Sequence, residues 1–106
     1  MKKNTKDVIV SRYIADPLLI NGFKFDLRIY IAITSVDPLR IYFYEEGLAR
    51  FATEKFTLSS GEVPNRFVHL TNFSINKHSD NYHIDEHNET EGCKWSLATL
   101  KVNFCM

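Results

Sequence analysis

From Gly22 to Thr34 the chain alternates polar and apolar residues, the period of an extended strand and not of a helix. An extended backbone sets Phe25, Leu27, Ile29, Ile31 and Ile33 on one face and Lys24, Asp26 and Arg28 on the other. Successive same-face residues stand roughly 6.6–6.8 Å apart, so an ammonium, a carboxylate and a guanidinium form a row about as long as a nucleotide's phosphates and ribose. A solvated polar face on a half-exposed strand is the competing reading of these three residues taken alone.

The surrounding pattern predicts an antiparallel sheet. Asp7 to Ile14 reads as a first strand, and Asp16-Pro17 and Asn21-Gly22 bracket a short apolar bridge, Leu18-Leu19-Ile20. After the long strand from Lys24 to Thr34, Asp37-Pro38 turns the chain into Arg40 to Tyr44, and Glu45-Glu46-Gly47 turns it into Leu48 to Ala52. Three consecutive strands joined this way predict a meander. Thr57 to Asn65 reads as loop, His69 to Lys77 as a compact motif, and His78 to Gly92 as a mobile segment with little apolar content. Trp95, Leu97, Leu100 and Phe104, with Ser96 near the start, predict an amphipathic C-terminal helix. The fold class is therefore α+β. The chain stops directly behind that helical pattern without a stop signal and reads as a piece of a longer domain.

Thirteen basic and thirteen acidic side chains cancel, which argues against a broad field for nucleic acid or an anionic membrane and leaves charge recognition to local groups. The lysines at the N-terminus are not followed by an apolar run, and no run approaches a spanning length, so no membrane or nucleic-acid partner is expected. Two cysteines, Cys93 and Cys105, make no disulfide framework, in keeping with reduced thiols in a cytoplasmic protein. The glycosylation patterns at Asn72-Phe73-Ser74 and Asn88-Glu89-Thr90 need a secreted context that nothing else supports.

If Leu48, Arg50 and Ala52 share a face on the last strand, Arg50 can join Lys24, Asp26 and Arg28. Three cations around one carboxylate suit an anionic substrate in phosphoryl or acyl transfer; a surface ion-pair cluster is the alternative. His83-Ile84-Asp85-Glu86-His87 matches a zinc-protease pattern but lies among polar residues without the apolar stripe such a helix needs, so no metal site is expected. The chain has neither a glycine-rich phosphate loop nor a nucleophile elbow.

The strings Pro17-Leu18-Leu19-Ile20 to Arg28, Thr34-Ser35 with Asp37-Pro38-Leu39-Arg40-Ile41-Tyr42, Glu46-Gly47-Leu48-Ala49-Arg50-Phe51-Ala52, His69-Leu70-Thr71-Asn72 and Lys94-Trp95-Ser96-Leu97 resemble, in order and spacing, the tubulin tyrosine ligase-like family, most closely its polyglutamylase branch. The resemblance implies part of an ATP-grasp domain, without its N-terminal lobe and its C-terminal magnesium-binding segment. It also implies an ATP-dependent ligase that activates a tubulin glutamate as an acyl phosphate for attack by the amine of free glutamate. Its partners would be tubulin or microtubules, its place the cytoplasm and cytoskeleton, including the cilium or basal body.

By the same resemblance, Ser11, Arg12, Tyr13 and Ile14 form the segment that reads adenine. Lys24, Phe25 and Asp26, with Thr71 and Asn72, bind the nucleotide. Arg50, Phe73 and Lys94 bind the amino acid, and Arg28 and Arg50 carry catalysis. ATP is the implied cofactor, with magnesium held by residues outside this chain. Ser11 stands where the family usually has glutamine and Phe73 where it usually has tyrosine, which removes a side-chain amide from one site and a hydroxyl from the other. A non-catalytic module that keeps a tubulin-binding or structural role, and a ligase using glycine or tyrosine, are the alternative readings. The isolated chain is expected to be inactive.

Overall fold

The computed structural model describes residues 8–59, 61, 64–84 and 92–104. In order they form β1 (Leu19–Ile20), β2 (Phe23–Arg28), β3 (Ile31–Val36), β4 (Leu39–Phe43), β5 (Leu48–Lys55), α1 (Arg66–His69), α2 (Phe73–Asn76), β6 (Lys94–Ser96) and α3 (Leu97–Phe104). The architecture is α+β, as expected: one antiparallel sheet ordered β1-β2-β5-β6, a separate β3-β4 hairpin, and three short helices.

Asn21 (φ 53°) and Gly22 (φ 84°) make the two-residue turn between β1 and β2, where positive φ at both positions matches the twist of the flanking strands. The expected strand from Lys24 to Thr34 is broken at Ile29-Tyr30. Its first half pairs with β5 and its second half with β4. The meander is thus corrected: β3 and β4 form an excursion, and the chain returns past it so that β5 lies beside β2. Alternation fixes which face a side chain occupies, not which strand lies alongside. Residues on both faces of the hairpin, among them Ile33, Ile41, Tyr42 and Phe43, are exposed.

Residues 8–14 form no strand, against expectation, and Val8, Ile9 and Val10 are exposed. Their β-branched side chains favour a sheet only when a neighbour packs on them, and the edge of β2 that faces away from β5 is paired with β1. Trp95 belongs to β6, so the helix begins later than the apolar spacing suggested; Thr99 N–H donates to Ser96 Oγ (3.0 Å) across its first turn.

The core holds Ala49, Phe51, Trp95, Leu97 and Leu100, with Ile20, Phe23 and Phe25 packed against it. Phe51 stacks on Phe25 (5.6 Å between centroids) and meets Trp95 at 4.6 Å, while Trp95 Nε1 donates to the Gly92 carbonyl (3.0 Å). Because these residues fill one face of β2, β5 and β6, the alternate residues Asp26, Arg50 and Lys94 share the other. Entry into β5 depends on Gly47, where an added Cβ would come within 2.6 Å of the Arg28 carbonyl oxygen. Two backbones meet there, so Gly47→Ala has to push β5 from the end of β2. The expected loss is about 1–3 kcal/mol, read from the denaturant midpoint; an unchanged midpoint would contradict the close approach.

Candidate functional site

Strand register assembles the charged face. Asp26 pairs with Arg50, and Arg50 pairs in turn with Lys94, so carboxylate, guanidinium and ammonium form one row across three strands. Arg50 Nε donates to Asp26 Oδ1 (3.0 Å) and its Nη2 donates to Asp26 Oδ2, a two-pronged pair in which both side chains are partly exposed. The hydrogen bond to Asp26 raises the guanidinium pKa above its usual value. Two of the five donors of an arginine are used in this pair; the Nη1 group and the second Nη2 proton stay available. Arg28 is exposed one row along, opposite Leu48.

Lys24 lies where the β2-β5 register shifts, and its ammonium turns to a different partner set. It donates to the His69 carbonyl (3.0 Å) and to the Tyr13 hydroxyl (3.3 Å), and stands 4.7 Å from the Tyr13 ring centroid. Tyr13 also bonds His69 Nδ1 (2.9 Å), so the segment expected to read adenine is tied to β2 through Tyr13. Ser11, Arg12 and Ile14 are exposed beside it. Phe25 points the other way, into the core against Phe51 and Phe104, so its side chain packs the sheet from behind.

A cavity of about 340 Å³ opens against the row and is lined by Leu48, Arg50, Phe51, Thr71, Phe73, Tyr82, Ile84, Cys93 and Lys94. The three residues expected at the amino acid, Arg50, Phe73 and Lys94, thus meet with Thr71 in one pocket. Asn72 lies beside it as the residue preceding α2; its carbonyl accepts from Ile75 N–H and Asn76 N–H. Two contributors were missed in the sequence. Asn76, 1% exposed, accepts from Thr53 Oγ1 (2.9 Å) and Thr53 N–H (3.3 Å) and donates to the Leu70 (2.8 Å) and Asn72 (3.1 Å) carbonyls. It clamps the 70–72 stretch to β5 and so sets Thr71 at the pocket. Tyr82 packs on Phe73 at 5.8 Å; standing with Ile84 as an apolar residue in a polar stretch was its one sequence signal.

Burial, then the neighbouring Cys93, push the Tyr82 phenol pKa above its ordinary value. The fold favours the neutral phenol, so that contribution is in place below about pH 10 and is lost as pH rises through the folded-state pKa. A near-ultraviolet titration is expected to show a tyrosine component that ionises above the ordinary phenol range and is absent in Tyr82→Phe. Loss of no late component in that variant would contradict the burial.

Among the described residues no three His, Cys, Asp or Glu side chains gather where a metal could sit. Of the H-x-x-E-H pattern, Asp85, Glu86 and His87 lie outside the described residues, as do all of residues 85–91 of the segment expected to be mobile; His83 Nδ1 lies 3.1 Å from the Asn81 carbonyl. No helix among the described residues is long and apolar enough to cross a membrane.

The sequence pattern of the tubulin-tyrosine ligase family matches residues 1–104. The chain belongs to that family. It is 52% identical over 97 residues to the mouse protein named tubulin polyglutamylase TTLL5, covering 90% of this chain and 7% of that protein. It is 46% identical over 96 residues to the mouse protein named tubulin monoglutamylase TTLL4, covering 90% of this chain and 8% of the relative. Against the Tetrahymena thermophila protein named probable alpha-tubulin polyglutamylase Ttll1, identity is 50% over 93 residues, 88% of this chain and 21% of the relative. The chain therefore spans a small part of each relative's length.

Proposed function

We propose that this chain supplies the amino-acid-binding face, and part of the nucleotide-binding face, of an ATP-dependent ligase that joins glutamate to glutamate side chains of tubulin. The observation that carries the reading is the Asp26–Arg50–Lys94 row beside the pocket that also holds Thr71 and Phe73. Relatives named as tubulin glutamylases support glutamate and tubulin as substrates. Two cations across neighbouring strands suit a small molecule with two carboxylates. Asp26 then serves Arg50: it fixes the plane of the guanidinium while the free donors receive substrate.

The Lys24 side of the face fits ATP. The described face carries Lys24, Arg28, Arg50 and Lys94 against Asp26, a cationic excess suited to phosphates, and Lys24 keeps one ammonium proton beyond its two partners. ATP would supply the phosphoryl group that activates the acceptor carboxylate. This face does not fit magnesium, because its carboxylate is held by Arg50; the reading puts the metal's ligands outside this chain. Without them, residues 1–106 alone should transfer no glutamate to tubulin. The setting of the reaction is the cytoplasmic microtubule, including that of the cilium.

Titration of the ¹⁵N-labelled chain with millimolar glutamate, glycine or tyrosine checks the pocket. Glutamate is expected to shift the Arg50 side-chain and Lys94 resonances well beyond the effect of glycine or tyrosine. Equal responses to all three would contradict the reading.

A further inference from the structure

Among the residues that line the pocket beside the charged row, Thr71 and Tyr82 carry hydroxyls; Phe73, the ring Tyr82 packs against, carries none. The Tyr82 ring packs on Phe73, and the backbone that carries it is anchored from both sides in sequence. Its own N–H donates to the Ser79 carbonyl (3.0 Å), and Cys93 ties both neighbours down, its N–H donating to the His83 carbonyl (3.0 Å) and its Sγ approaching the Asn81 carbonyl at 3.8 Å. Cys93 is in turn fixed to β5, its carbonyl accepting from Phe51 N–H (2.9 Å). A turn anchored in this way gives the phenol a defined position, whereas its hydroxyl has no hydrogen-bond partner among the described residues and is not sealed from solvent.

We propose that the Tyr82 hydroxyl donates a hydrogen bond to a carboxylate of the bound amino acid, alongside Arg50 and Lys94, and so helps the pocket select a dicarboxylate. The proposal rests on the glutamate reading given above. Arg50 and Lys94 supply charge and donors to the pocket, and the phenol adds a neutral hydroxyl donor beside Phe73. A phenol is protonated at neutral pH; burial already pushes the Tyr82 pKa upward, and a carboxylate brought close raises it further, because it opposes a second negative charge.

Two readouts on the whole chain test this. Tyr82→Phe keeps the ring and its packing, and is expected to weaken glutamate binding about tenfold, the loss of one hydrogen bond to a charged group. Saturating glutamate is expected to move the Tyr82 ionisation upward in the near-ultraviolet titration, which a purely structural tyrosine would not do. Glutamate affinity within twofold of the parent in Tyr82→Phe, with Arg50→Ala clearly weakened, would overturn the role of Tyr82 and leave the pocket reading standing. No effect of either substitution would overturn both.

Discussion

Replacing Asn76 with leucine should destabilise the chain by about 2–4 kcal/mol, more than any substitution on the charged face. Leucine fills a similar volume but leaves the Thr53 N–H and the Leu70 carbonyl without the side-chain partner they have in a site 1% exposed. Each such orphan costs about 1–3 kcal/mol, and a partly emptied polar network is worse than none. Asn76→Asp separates the two halves of the clamp: it keeps acceptors for Thr53, loses the donors to Leu70 and Asn72, and adds a buried charge, so it should not be milder. Ser74→Ala, on the exposed side of the same helix, should stay within about 0.5 kcal/mol. Chemical denaturation read by Trp95 fluorescence measures all three. A midpoint for Asn76→Leu equal to the parent would show that the clamp does not hold the 70–72 stretch.

The second large effect concerns function. In the mouse polyglutamylase relative with its matching segment replaced by this chain, Arg50→Ala should raise the KM for glutamate by about 10- to 100-fold and change the KM for ATP far less. The estimate follows from charge-assisted bonds worth about 1.5–3 kcal/mol each. Lys24→Ala should do the reverse. The structure gives the physical basis for the split: Arg50 lies in the pocket with Phe73 and Lys94, whereas Lys24 turns away at the register shift toward Tyr13 and His69. Arg50→Ala also strips Asp26 of its partner, so the pair Asp26→Asn and Arg50→Ala separates the cost of an orphaned carboxylate from the loss of substrate contact. If both single substitutions raise only the ATP constant, the division of roles is wrong.

The faces of the strands were legible because period-2 alternation is a local property. Lys24, Asp26 and Arg28 do share a strand, Arg50 does reach Asp26, and Asn21-Gly22 does make the tight turn. Partner choice was not legible. The same alternation runs unbroken through Ile29-Tyr30, where β2 ends and the hairpin begins, and nothing in that run says that β5 skips β4 to pair with β2. Lys94 therefore read only as a residue implied by resemblance, although register places it opposite Arg50. Asn76 was hidden for a related reason. An asparagine in a polar motif reads as solvated, and its burial depends on Thr53, distant in sequence. Gly47 read as a turn residue, whereas its lack of a Cβ matters for contact with the Arg28 backbone.

On the proposed function, this segment reads glutamate for transfer to tubulin. The most direct measurement is ATP-dependent incorporation of radiolabelled glutamate, glycine and tyrosine into tubulin by the same grafted relative, with the ungrafted relative in parallel. Glutamate is expected to be incorporated in strong preference to the other two, and its incorporation to be lost in Arg50→Ala at glutamate concentrations that saturate the parent. Preferential incorporation of glycine or tyrosine, or glutamate transfer untouched by Arg50→Ala, would contradict the proposed function.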